Sequence, residues 1–182
     1  MVIPTRNSER LTLRPFVEAD AVPLQRIMGQ PDMLQYFPNS NPPEIDRVER
    51  LINYQLAHWE QYGYGWWAIE FVEEKETRPF IGWAGLQYLP DTDEVEVAYM
   101  LGRDYWARGL ATEVAREALE YGFEQLKEHE IVGIVHTENI ASIRVIEKLG
   151  MSFDIRKPYF GMDCFRYALT AEEFKAREAT NG

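Results

Sequence analysis

The sequence predicts an α/β domain built on a mixed sheet, and three observations carry that expectation. Strands of period two and helices of period 3.6 alternate along the chain. Ile131 to Val135 is almost wholly apolar, as in a strand covered on both faces. A single amphipathic helix separates that strand from another at Glu94 to Leu101, which is the crossover that parallel pairing requires. With 182 residues, 46% of them hydrophobic, the chain is long enough for one full core, so residues 1–182 are read as a single domain.

Taken in order, Glu9 to Phe16 alternates around Leu11 and Leu13 and reads as a strand. Glu18, Ala19 and Asp20 open a short helix running to about Met28. Pro38, Pro42 and Pro43 punctuate a loop. Glu44 to Tyr62 then carries Ile45, Val48, Leu51, Ile52, Gln55 and Leu56 at helical spacing until Gly63 and Gly65 end it. Trp66 to Val72 and Pro79 to Leu89 form a hairpin around the charged turn Glu73 to Thr77, and Pro90 to Asp93 makes a second turn. In the next strand Val95, Val97, Tyr99 and Leu101 face one way, with Glu94, Glu96, Ala98 and Met100 on the other side.

Ala111, Val114, Ala115, Ala118, Leu119, Gly122 and Leu126 make a helical stripe. After the apolar strand comes a second helix with Ser142, Val145, Ile146 and Leu149 on one stripe and Gly150 as its stop. Phe153 to Leu169 reads as a closing hairpin.

Composition narrows the function. A net charge of −11 argues against nucleic acid as a partner, because phosphate binding needs clustered Lys and Arg. It favours cationic substrates mildly, or serves solubility alone. No apolar run reaches the roughly 18 residues of a membrane span, and no leader pattern opens the sequence, so a cytoplasmic protein with no membrane partner is expected. The lone Cys164 excludes an internal disulfide and, with no His near it in the sequence, reads as a buried structural residue. Three scattered His residues offer no zinc spacing, so no metal is expected.

The densest local signal is Tyr105-Trp106-Ala107-Arg108-Gly109-Leu110-Ala111-Thr112-Glu113. A Gly and small residues at a strand-to-helix junction leave backbone N–H groups bare at a helix N-terminus, which suits a phosphate or pyrophosphate. Arg108 adds positive charge. The segment lacks both the Gly-Lys-Ser/Thr of a P-loop and a three-glycine dinucleotide fingerprint, which weakens a nucleotide-binding reading.

This loop and the order of elements resemble the GNAT superfamily of acyl-CoA-dependent N-acetyltransferases. The family's Arg/Gln-x-x-Gly-x-Gly/Ala pattern is met at Gly109 and Ala111, with Trp106 in its first place. Glu9 to Phe16, Tyr105-Trp106, Gly109 to Glu113 and Asn139 to Met151 resemble the Rim-type branch, which includes ribosomal-protein N-terminal acetyltransferases. These blocks follow the family's order over nearly the whole chain. The resemblance implies a single-domain GNAT fold, a mixed, mostly antiparallel sheet of about seven strands flanked by about four helices.

It also implies transfer of an acetyl group from acetyl-CoA, the cosubstrate, to a primary amine by direct attack in a ternary complex. Arg108, Gly109, Leu110, Ala111 and Thr112 would hold the pyrophosphate, with charge added by Arg103. Tyr99, Met100 and Leu101 would lie beside the thioester, and a β-bulge within 97–101 would free N–H groups for the oxyanion. Asn139 would cap its helix near the pantetheine arm.

A lysine-like amine is only about 0.04% neutral at pH 7, and an α-amine about 10%, so a base matters most for the former. Glu96 is the first candidate, acting through water, unless it is a charged residue on a solvated face; His136 is a weaker one. Ser142 and Tyr159 are candidate donors to the leaving thiolate. Tyr36, Phe37, Trp59, Trp66, Trp67, Trp83 and Tyr159 offer aromatic walls, most of them expected in the core. The acceptor stays open between a protein N-terminus, an amino acid, a polyamine and an aminoglycoside-like amine, and the assembly between monomer and homodimer. The competing class is a non-catalytic acyl-CoA-binding sensor or interaction module.

Overall fold

The computed structural model describes residues 2–72 and 78–181. The turn expected at Glu73 to Thr77 lies outside them. The chain runs β1 (Arg6–Asn7), β2 (Leu11–Arg14), a 3-10 turn (Glu18–Asp20), α1 (Ala21–Met28), α2 (Ile45–Tyr62), β3 (Trp66–Phe71), β4 (Phe80–Tyr88) and β5 (Val95–Leu101). A second 3-10 turn (Arg103–Tyr105) leads to α3 (Leu110–Glu120), whose last turn widens to π geometry over Tyr121–Leu126. Then follow β6 (Glu130–His136), α4 (Ile140–Leu149), β7 (Ser152–Tyr159), β8 (Met162–Thr170) and α5 (Ala171–Asn181).

Among the described residues the strands form one eight-stranded sheet in the order β1-β2-β3-β4-β5-β6-β8-β7. Every neighbouring pair is antiparallel except β5 and β6. The expected elements are present; β1 and α5 are additional, which raises the count among the described residues to eight strands and five α-helices.

Each face of the sheet is covered. Against one face α3 buries Leu110, Val114, Ala115, Ala118 and Leu119, together with Val97 and Leu101 of β5. Each of its larger side chains contributes roughly 1.5–3 kcal/mol by leaving water. Against the other face α1 and α2 bury Leu24, Ile27, Val48 and Ile52 on Ala68, Trp83 and Met100. The alternation read in β5 therefore sorts its side chains between two cores.

The parallel join at the centre of the sheet shapes the site. β4 and β5 pair without a register shift from Gly82↔Leu101 to Tyr88↔Val95, whereas β5 and β6 share the single pair Glu96↔Val132. Beyond that pair the two strands separate. The bulge expected within 97–101 is absent from the β4 side of the strand. Divergence from β6, rather than a bulge, frees the backbone there.

Candidate active site

The loop after β5 is shaped by two left-handed residues, Ala107 (φ 56°) and Gly109 (φ 79°). Gly109 is the N-cap of α3 and offers no side chain to the first turn, whose earliest intrahelical bond is Glu113 N–H to the Gly109 carbonyl at 3.1 Å. The amides of Leu110, Ala111 and Thr112 precede that bond and point out of the helix end. Trp106 anchors the loop by donating its indole N–H to the Leu101 carbonyl at 2.7 Å.

A negative charge in the first turn, Glu113, would repel a phosphate. Arg10 neutralises it: its Nε and backbone N–H donate to the carboxylate at 2.8 and 2.9 Å, and its Nη1 donates to the Arg108 carbonyl at 3.0 Å. Ser8 donates to the same carboxylate at 2.6 Å. These bonds hold the Glu113 carboxyl below its usual range despite partial burial. The cradle is thus fixed to the N-terminal strand and carries no uncompensated negative charge, so it fits a pyrophosphate. Neither Ser8, Arg10 nor Glu113 was singled out for this role by spacing, because the contact joins residues about a hundred positions apart in sequence.

Two expected phosphate ligands have other contacts. The Arg108 guanidinium lies 4.6 Å from the Phe71 ring and 5.5 Å from that of Tyr105, while remaining exposed. Arg103 donates to the Pro31 carbonyl, and its guanidinium lies 5.1 Å from the Trp106 ring.

In the β4–β5 ladder, Gly102 N–H donates to Ile81 and Leu89 N–H to Glu94. Even-numbered residues of β5 therefore bond to β4, and the backbone groups of Val97, Tyr99 and Leu101 turn toward β6. Past the single pair at Glu96 the amides of Tyr99 and Leu101 face the widening gap. Glu96 stands at its closed end. It is 5% exposed, which removes the solvated-face reading, and its Oε2 accepts from Gln87 Nε2 at 2.6 Å. Burial pushes the carboxyl from its usual 4.5 up to about 7, opposed by the Gln87 side chain and the nearby Ile134 amide.

The other named groups divide between the two faces of the sheet. On the α3 side, Asn139 Oδ1 accepts from Ser142 N–H at 3.2 Å and caps α4. Ser142 bears on the Tyr99 phenol, which burial pushes up to about 12. The two hydroxyls fall short of hydrogen-bond geometry, so the buried Tyr99 Oη has no partner among the described residues. On the α1–α2 side, Tyr159 packs with Val132 and Cys164, its buried hydroxyl likewise unpartnered. Ser142 and Tyr159 are therefore not brought together. Cys164 is buried, as expected, and burial raises its thiol.

A model of the acetyltransferase (GNAT) domain matches residues 10–152. The chain belongs to the GNAT acetyltransferase family. Its sequence is 30% identical over 155 residues to the uncharacterized protein YkkB of Bacillus subtilis, spanning 82% of this chain and 87% of the relative. Its fold matches an acetyltransferase from Agrobacterium tumefaciens with a TM-score of 0.79 at 28% identity, over 93% and 95% of the two chains. RimJ of Mycobacterium smegmatis, solved with a CoA-disulfide, matches in fold with a TM-score of 0.77 at 19% identity, over 94% and 89%. The protein is an acyltransferase, and its architecture is the GNAT fold.

This GNAT domain carries a cavity of about 260 Å³ on the α1–α2 face, floored by Trp66, Trp83 and Met100 and rimmed by the 34–43 loop and α2. Trp66 and Trp83 stack with centroids 3.5 Å apart and planes 7° from parallel. Close passage of β3 over β4 makes this possible: a Cβ on Gly85 would lie 2.1 Å from the Gly65 carbonyl. Of the remaining aromatic candidates, Trp59 and Trp67 are fully buried on the α3 side. Phe37 lines the cavity, and Tyr36 rests against His136 with centroids 5.0 Å apart. His136 Nδ1 accepts from Glu138 N–H at 3.1 Å, which leaves a proton to its other nitrogen when the ring is neutral. No group of metal-ligating side chains occurs among the described residues, and no described helix is long and apolar enough to cross a membrane.

Proposed function

We propose that this GNAT protein is an acetyl-CoA-dependent N-acetyltransferase of the Rim-type branch that acetylates a primary amine by direct attack in a ternary complex. The observation that carries the reading is Glu96, a buried carboxyl with an affinity for protons near neutrality, standing where β5 and β6 part. A base of ordinary carboxylate strength would be a poor match for an amine; one poised near the working pH is a far better one.

The division of groups between the faces supports separate entries for the two substrates. The α3 N-terminus, Arg108 and Arg103 provide the pyrophosphate end, with the arm passing Asn139 and Ser142 on the α3 face. The amides of Tyr99 and Leu101 face the gap and stabilise the developing oxyanion. The amine enters from the α1–α2 face. Glu96 takes its proton, through water where the acceptor does not reach the carboxylate. Ser142 donates to the leaving sulfur. A thiol is a fair leaving group, so this donor contributes about ten- to a hundredfold rather than deciding activity. Tyr159, on the Glu96 side, is placed to orient that water or the amine instead.

The test is the Glu96→Gln variant. It is expected to bind acetyl-CoA like the parent while kcat/KM for the amine falls by about a hundredfold or more. An unchanged kcat/KM would remove Glu96 from the mechanism. Initial rates with both substrates varied should give intersecting lines; parallel lines would indicate an acetyl-enzyme and contradict direct attack.

A further inference from the structure

The cavity on the α1–α2 face constrains the acceptor. It lies on the face that carries Glu96: the pairs Trp83↔Met100, Gly85↔Ala98 and Gln87↔Glu96 succeed one another on that side of β4 and β5. One pair separates its floor from the pair that holds the carboxylate, a span of roughly 13 Å at strand rise. The pair in between is Gly and Ala, the two smallest residues, so neither strand sets a large side chain across the path. The cavity is therefore the vestibule on the amine's side of the reaction centre.

Its lining is specific. Trp66, Trp83, Met100, Leu34 and Phe37 make it apolar, no carboxylate lines it, and its one charged residue is Arg47. Beneath this surface the indole N–H groups of Trp66 and Trp83 are both buried without a partner. Out of reach of solvent, they offer a ligand in the cavity no hydrogen bond, and the stack presents it an apolar surface alone. At about 260 Å³ the cavity is also smaller than the usual range for drug-sized ligands and holds the volume of about nine waters.

Polyamines and aminoglycosides carry several positive charges and need acidic walls. Arg47 opposes them, whatever the net charge of −11 offers elsewhere on the surface. An aminoglycoside exceeds the volume, and a peptide N-terminus has no carboxylate on its first residue for Arg47 to pair with.

Resting on the N-acetyltransferase reading, we infer that the acceptor is a small primary amine with an apolar or aromatic body and a carboxylate, the chemistry of a free hydrophobic amino acid. Arg47 pairs with the carboxylate, the Trp66–Trp83 stack receives the body, and the amine lies toward the β5 side of the cavity, joined to Glu96 across the remaining span by water. The reaction forms an N–C amide bond and breaks the C–S thioester bond. The amine proton leaves through Glu96, and the departing thiolate is protonated.

The experiment compares kcat/KM for leucine, phenylalanine, their amides, spermidine and an aminoglycoside, with acetyl-CoA saturating. A free carboxylate is expected to raise kcat/KM at least tenfold over the matching amide, and Arg47→Ala is expected to erase that ratio. Trp83→Leu, which removes half of the stacked surface, should raise the amino-acid KM. Calorimetry with acetyl-CoA checks that each variant is folded.

Equal rates for acid and amide, or turnover of spermidine with silent amino acids, would overturn the acceptor assignment and leave the acetyltransferase reading standing. Silence of every amine while acetyl-CoA binds would overturn both.

Discussion

Gln87 and Glu96 face each other across β4 and β5, the amide donating to the carboxylate at 2.6 Å inside the sheet. Gln87 and the nearby Ile134 amide both favour the ionised form of the carboxyl, and burial outweighs them. Its affinity is raised from the usual 4.5 to about 7. In the unfolded chain it ionises near the lower value. Its contribution to stability is thus fully present below about pH 4.5 and is lost as pH rises through 7. Glu96→Gln should therefore leave the melting temperature unchanged near pH 4.5 and raise stability at pH 8, by up to about 3 kcal/mol. Denaturant unfolding at the two pH values measures this; equal effects at both would show that the carboxyl is not held protonated.

The same group predicts a limb in the rate profile. The parent's kcat/KM should fall as pH drops below about 7, and Glu96→Gln should lack that limb. The acceptor amine's own protonation adds a limb at higher pH in both proteins; a limb near 7 that survives the substitution belongs to another base.

Arg10 closes the cradle from a distance, reaching Glu113 at 2.8 Å and the Arg108 carbonyl at 3.0 Å. Arg10→Ala removes the ion pair of Glu113 and leaves it the Ser8 hydroxyl and the residue-10 backbone N–H, so its charge stands uncompensated at the helix end proposed to receive the pyrophosphate. The acetyl-CoA dissociation constant is expected to rise about tenfold, near 1.4 kcal/mol. Arg108→Glu should raise it at least as much. Calorimetry decides both, and an unchanged constant in either variant would remove that residue from the cradle.

Asn139 and Ser142 separate structure from chemistry within one turn. Asn139 supplies the cap through its side chain, whereas Ser142 contributes only its N–H to that bond. Asn139→Ala should cost about 1 kcal/mol of stability. Ser142→Ala should keep the melting temperature and lower kcat ten- to a hundredfold. If Ser142→Ala keeps the parent's kcat, the sulfur is protonated by another group.

Much of this was legible in the sequence because local periodicity reports it. The stripe at Val114, Ala115, Ala118 and Leu119 is buried as α3, and the alternation of β5 divides Val97 and Leu101 from Met100 between the two cores. The bare helix end after Gly109 followed from residue size alone. What stayed hidden depends on pairing between distant segments. Whether Glu96 was solvated or buried turned on groups of β4, β6 and β8 meeting around it, which no spacing within β5 encodes. The Ser8–Arg10–Glu113 network joins segments 103 and 105 residues apart. β1 is two residues long, too short for any period. In α5 Phe174 is the only buried side chain among the described residues, so no apolar stripe announced it. The acidic composition, which favoured cationic substrates mildly or served solubility alone, did not announce Arg47 in the cavity lining.

Release of free thiol from acetyl-CoA by the purified protein, with and without each class of primary amine, tests the central claim most directly. Release accelerated by one class of amine over the no-amine control, with the acetylated amine recovered in equal amount, is the result this account predicts. Flat release across the panel from a protein that binds acetyl-CoA would contradict it and point to a sensor built on the GNAT fold.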